Sequence, residues 1–244
     1  SLPVSANSIM PHVTANKIRI AYESLGDIND PTIILVMGLG NQLTMWHLEL
    51  CEVLVDAGYH VVRFDNRDIG LSEKLHDAGR PNLMAAVMGA GEVGAAYTLD
   101  DMAADAVGLL DALDIETAHV AGVSMGGMIA QTMAINYPER IGSLTSIMST
   151  TGNASLPKAQ PDAMKALIMP PAPSDDVEAV VERSLQVWKV LESPGFPTDD
   201  ALRREWILRD YHRSYYPRGV GRQLAAIIAH GDRREGLQQL TLPT

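Results

Sequence analysis

Cysteine is nearly absent from this chain of 244 residues, where Cys51 stands alone. One thiol closes no disulfide and builds no cysteine-based metal site within a chain, so disulfide scaffolds and zinc modules are set aside. A reducing compartment, read here as the cytoplasm, is the natural setting. Metal-ligand spacing of the H-E-x-x-H kind is missing as well. Positive charge is scarce: 19 Lys and Arg face 30 Asp and Glu, a formal net charge of -11. Such a balance repels phosphate backbones and anionic lipid surfaces, which argues against nucleic acid or a membrane as partner. No apolar run approaches the length of a membrane-spanning helix, and no basic stretch leads into an apolar one as in a secretion signal. What is present is a 46% hydrophobic composition, enough to bury one α/β core with an insertion rather than two equal domains.

The order of elements follows from periodicity. Lys17 to Glu23 alternates as a half-exposed strand does, while Thr32 to Met37 is apolar throughout, as a buried parallel strand is. Trp46, Leu50, Val53, Leu54 and Ala57 recur at helical spacing and stop at Gly58, and His60 to Asp65 reads as the next strand. Thr98 and Asp101 form a capping-box pattern that opens a helix with Leu99, Met102, Ala103, Ala106, Leu110 and Leu113 on one face. A strand at His119 to Ala121, a helix from Met128 that stops at Tyr137-Pro138, and a strand at Ser143 to Met148 follow. Alternation of this kind predicts a doubly wound, mostly parallel sheet over residues 1–150. Beyond Thr150, prolines punctuate short helical runs at Asp176 to Val190 and Asp199 to Arg209. Residues 151–230 therefore read as an inserted helical cap, with Trp188, Trp206, Tyr211, Tyr215 and Tyr216 read as its own small core or, for a few of them, as lining of an apolar pocket over Ser124, and 231–244 as the return to the sheet domain.

The chemistry concentrates at Gly122-Val123-Ser124-Met125-Gly126-Gly127, a G-x-S-x-G sequence between a strand and a helix. A serine on so sharp a turn is strained, and a side chain two positions to either side would collide with strand or helix, hence Gly122 and Gly126. Ser124 is thus presented as a nucleophile, with the Met125 N–H at the helix start pointing to where an oxyanion would form.

With these features the chain resembles the α/β-hydrolase fold, and within it the aclacinomycin-methylesterase-like esterases. Met37-Gly38-Leu39-Gly40 after a strand looks like that family's His-Gly-x-Gly oxyanion loop with methionine in the histidine place, and Trp46 sits where the following helix begins. Asp65-Asn66-Arg67-Asp68-Ile69-Gly70-Leu71-Ser72 is similar to its Asp-x-Arg-x-x-Gly-x-Ser segment. The resemblance implies a serine esterase of small-molecule esters that needs no cofactor or metal. Ser124 would attack the carbonyl, and the N–H groups of Leu39 and Met125 would hold the oxyanion.

Such a serine needs a histidine base oriented by a carboxylate, in the chain order Ser, acid, His. The segment after β-type run 143–148, Ser149-Thr150-Thr151-Gly152-Asn153, offers no carboxylate. His60 and His119 fall at strand amino ends, and His12, His47 and His76 precede the elbow. His212 and His230 follow it, in helical sequence. The expectation is therefore that acid and histidine lie on roughly fifty to seventy further residues past Thr244, carrying the remaining strands and present as a separate peptide of the same protein. The competing class is a catalytically silent fragment or binding module. A G-x-G-x-x-G at Gly89 to Gly94, with Asp114 about twenty residues on, lacks the strand and helix that a dinucleotide site requires.

Overall fold

The structure, a computed structural model, describes residues 10–169, 171–173 and 175–244. Two short strands open it: β1 (His12–Ala15) and β2 (Ile18–Leu25) pair antiparallel around Asn16 and Lys17, both at positive φ. That hairpin's first strand is not evident from sequence, because the turn uses Asn-Lys where the readable signal is Asn-Gly. β3 (Thr32–Val36), β4 (His60–Phe64), β5 (Ala118–Val123) and β6 (Ile141–Ile147) then run parallel, giving a six-stranded sheet in the order β1-β2-β4-β3-β5-β6 among the described residues.

The order places the functional residues. The chain winds from β3 to β4 on one side and returns to β5 on the other, so the crevice beyond the carboxyl ends of β3 and β5 is the topological switch point, where α/β sheets bind ligands. Val36 pairs with Gly122 at those ends, so Gly38 and Ser124 leave the sheet side by side.

α1 (Leu48–Asp56), α2 (Leu83–Val87), α3 (Leu99–Ala112) and α4 (Met125–Asn136) connect the strands. In α1 the apolar spacing is misleading as to face: Leu50 and Val53 are exposed, and Cys51 is buried with Leu35, Trp46 and Val61. The capping box of α3 forms as expected, with Thr98 N–H donating to Asp101 Oδ2 at 2.8 Å, and its Leu99, Met102, Ala103, Ala106 and Leu110 are buried. α4 is buried along most of its length, from Met125 through Ala134, as a helix lying across the middle of a sheet must be.

The remaining helices divide between two compact units. Ala154–Pro217 forms the second unit and holds α5 (Pro161–Ile168), α6 (Val177–Leu191) and α7 (Asp200–Ser214). Asp176 and Asp199 cap α6 and α7 through their carboxylates. Within the unit, Arg203 lies 5.0 Å over the Trp188 ring and pairs with Glu192 at 2.7 Å, and Tyr215 donates to Ala172 O. α8 (Pro217–His230) and α9 (Arg234–Gln238) follow. Arg218–Thr244 belongs to the same unit as the sheet, so the insertion stops some thirteen residues short of the expected 230. The cause is polar: Arg222 on α8 makes a buried, two-pronged pair with Asp68, both bonds at 2.8 Å. Residues 231–244 return to the sheet domain, where Leu237, Leu240 and Leu242 pack on the core and Pro243 O accepts from Leu144 N–H of β6 at 2.9 Å.

Candidate active site

Ser124 occupies the single residue between β5 and α4, with φ 56° and ψ -118°. This backbone conformation is costly for a residue with a side chain and persists only when its surroundings over-determine it. Here they do. Ser124 N–H donates to Ile147 O at 2.9 Å, and Ser124 O accepts from Gly127 N–H, Met128 N–H and Ser149 Oγ. The flanking glycines answer to contact rather than flexibility: a Cβ on Gly122 would lie 2.0 Å from Gly126 O, and one on Gly126 would lie 2.1 Å from Val36 O. Gly38 serves the facing loop in the same way, since a Cβ there would meet Val123 O at 3.1 Å, Ser124 Cβ at 3.3 Å and Ser124 Oγ at 3.9 Å. The loop backbone thus runs directly past the hydroxyl.

The donors around that hydroxyl sort themselves by what is already in use. Gly40 N–H donates to the side chain of Gln223 at 2.9 Å. The N–H groups of Leu39 and Met125 have no acceptor among the described residues. Two unpaired N–H groups, one on each side of Ser124 in sequence space and both adjacent to its turn, are what an oxyanion would require.

The segment Asp65–Ser72 braces this loop from below. Asp65 accepts from Leu43 N–H and Leu71 N–H, both at 2.8 Å, and Asn66 Nδ2 donates to Met37 O at 2.9 Å. Arg67 pairs with Asp105 at 2.6 and 2.7 Å, and Ser72 links Asp65 O to Ala21 N–H. Burial works against the Asp105 carboxylate and raises its pKa, while Arg67 and Asn16 oppose that shift by hydrogen bonding to it.

The histidines have partners of their own. His60 is buried between Ser24 Oγ at 2.6 Å and Thr32 Oγ1 at 3.0 Å, and burial lowers its pKa. His119 bonds Ser143 Oγ, and His12 bonds Leu71 O. His230 faces Asp100 at 3.6 Å in a cleft of about 470 Å³ lined also by Asp232, Arg233 and Glu235, its pKa lowered by burial against the pull of Asp100. His212 stacks edge-on to Tyr211 in the second unit. Ser124 Oγ itself has no hydrogen-bond partner among the described residues. No group of three or more His, Cys, Asp or Glu stands together as metal ligands among the described residues, and no helix there is long and apolar enough to cross a membrane. Gly89 to Gly94 falls between α2 and α3, away from any strand end.

Sequence reasoning did not find Ser149 or Gln223. Ser149 follows β6 and is recognisable only from its contact with the elbow. Gln223 lies 183 residues from its partner Gly40. Its one local sign is an amide among Gly219, Arg222 and Ala226, which together form the buried side of α8.

Comparison with known proteins agrees with this geometry. Residues 31–172 match the family model of the alpha/beta hydrolase fold. The chain belongs to that family. Rhodomycin D methylesterase of Streptomyces peucetius is 30% identical over 218 residues, an alignment that takes in 82% of this chain and 68% of the relative. A 3-oxoadipate enol-lactonase of Acinetobacter baylyi is 26% identical over 231 residues, with coverage of 95% and 75%. Among solved structures, a meta-cleavage product hydrolase from Pseudomonas fluorescens superposes with a TM-score of 0.68 at 18% identity, covering 95% of this chain and 76% of that one, which speaks for the shared fold. This chain thus resembles the methylesterase group within the family, and esterases and other hydrolases are among its relatives.

Proposed function

We propose that the protein is a serine hydrolase of carboxylic esters, acting through an acyl-enzyme on Ser124 with Leu39 and Met125 N–H as oxyanion donors. The observation that carries this reading is the Ser124 backbone, held at φ 56° at the sheet's switch point against Gly38. In the proposed reaction Ser124 Oγ attacks the ester carbonyl carbon while a base takes its proton. The carbonyl oxygen becomes an oxyanion in front of the two unpaired N–H groups, and its collapse expels the alcohol, which leaves with that proton. Water then attacks the acyl-serine by the same route and releases the acid. The names of the two relatives above, a methylesterase and an enol-lactonase, both denote ester substrates, and the same class is proposed here.

The base is proposed to be a histidine other than His12, His60, His119 and His230, oriented by an Asp or Glu. Support comes from the hydrogen bonds that occupy His12, His60 and His119, from the Asp100 side of His230, and from the unpartnered Ser124 Oγ. The test is fluorophosphonate labelling of the full-length protein followed by peptide mapping, beside turnover of p-nitrophenyl acetate. Ser124 should carry the label, and Ser124→Ala should lose both label and turnover. Labelling elsewhere, with Ser124→Ala still active, would overturn the assignment, and a folded protein that neither labels nor turns over would favour the catalytically silent module.

A further inference from the structure

We infer that Gln223 is a positioning residue for the oxyanion loop, one that takes the Gly40 N–H out of play and leaves Leu39 N–H as the loop's free donor. The inference rests on the serine-hydrolase reading of Ser124. Gln223 is fully buried, and both ends of its carboxamide are used: Oε1 accepts from Gly40 N–H at 2.9 Å and Nε2 donates to Arg67 O at 2.9 Å. The partners allow one amide orientation only, because a backbone N–H must meet the oxygen and a backbone carbonyl must meet the nitrogen. The amide is therefore a strut of fixed polarity between two loops that follow different strands.

Each end of the strut is anchored. Arg67 is held through its guanidinium by Asp105, itself buried on α3, so the carbonyl that Gln223 grips belongs to an immobilised residue. At the other end, Gly40 sits at φ 71° with Val220, one turn before Gln223 on α8, directly beneath it: a Cβ on Gly40 would meet Val220 Cγ2 at 3.1 Å. Asn66 meanwhile fixes Met37 O, and Asp65 fixes Leu43 N–H. The loop 37–43 is thus tied at its entrance, its middle and its exit, and the middle tie alone comes from outside the Asp65–Ser72 segment. Without it, the peptide that carries Leu39 N–H would keep only the bond of Asn41 N–H to Gly38 O, at 3.3 Å, and misplacement of a catalytic donor by about 1 Å costs on the order of a hundredfold in rate.

Two substitutions read this role in the full-length protein with p-nitrophenyl acetate. Gln223→Leu removes both hydrogen bonds and should lower kcat by about tenfold or more with KM within about threefold, since the donor acts on the transition state and not on ground-state binding. Gln223→Glu supplies a second readout that packing alone would not move. When protonated, its acid accepts from Gly40 N–H and donates to Arg67 O as the amide does, whereas its carboxylate has no proton for Arg67 O. The ratio of its kcat to that of the unsubstituted enzyme should therefore rise as pH falls. A folded Gln223→Leu enzyme with kcat within twofold of the original would overturn the inference, and so, if that variant fails to fold, would a Gln223→Glu ratio that stays flat with pH. Failure of the underlying reading looks different: the unsubstituted enzyme would be inactive and Ser124 unlabelled.

Discussion

Ser149 Oγ donates a hydrogen bond of 2.8 Å to the carbonyl oxygen of Ser124, so the end of β6 holds the peptide of the proposed nucleophile in place. That carbonyl also accepts from two N–H groups of α4, which makes the serine bond a supplement and not the sole tie. Ser149→Ala should accordingly cost about 1 kcal/mol of stability, measured by urea denaturation, and lower kcat by a few fold. A kcat loss as large as that of Ser124→Ala would give Ser149 a part in the chemistry itself.

Leu39 is proposed to act through its backbone, so the side chain and the N–H separate by mutation. Leu39→Ala keeps the donor and should change substrate preference more than kcat. Leu39→Pro deletes the donor and should lower kcat by about a hundredfold in protein whose circular dichroism is unchanged. An unaltered kcat in Leu39→Pro would move the oxyanion donor to another group.

The Arg222–Asp68 pair is a structural tie with almost no access to water, the side chains being 2% and 0% exposed. Asp68 also accepts from Tyr97 OH and Leu75 N–H, each at 2.8 Å. Removing the guanidinium strands a buried charge, and Arg222→Leu should destabilise the fold by about 3 kcal/mol or more. Adding Asp68→Asn in the same chain should restore part of that loss, a coupling that a double-mutant cycle in urea reads directly.

Acid should weaken the fold through His60. Burial lowers its pKa, with Asp27 and Asp30 opposing in part. The unfolded chain therefore takes up a proton near the ordinary value of 6.5, where the folded chain still refuses it. The contribution is complete above that pH and is lost as pH falls towards the folded value, at no more than about 1.4 kcal/mol per pH unit for one proton. His230 is shifted the same way and adds with the same sign. The urea midpoint should fall between pH 7 and pH 5, and fall less in a His60→Gln variant. Equal slopes for the two proteins would place the acid sensitivity elsewhere.

What could be read from the sequence was what is local in the chain. The elbow needs Gly122, Ser124 and Gly126 within five positions, and the α3 cap needs Thr98 and Asp101 three apart, so each left a pattern with its own physical reason. Burial side was harder, as α1 illustrates: Val53 keeps helical register with Leu50 yet faces solvent, because the neighbouring strands decide which face is covered. The boundary of the insertion and the role of Gln223 were out of reach for one reason. Both depend on contacts from α8 back to residues before α1 or around Asp68, and hydrogen bonds between segments more than 150 positions apart leave no spacing to recognise.

The division at residue 217 also bears on how such an insertion can be exchanged between relatives. A graft that replaces 154–217 carries over only the second unit and preserves Arg222 and Gln223 in their native setting. A graft drawn to 230, the boundary expected from the sequence, would transplant those two side chains as well, and with them the fastening of both the Asp68 turn and the Gly38–Gly40 loop. Exchange of the inserted helices and integrity of the backbone around Ser124 are therefore separable in this chain, provided the seam falls ahead of α8.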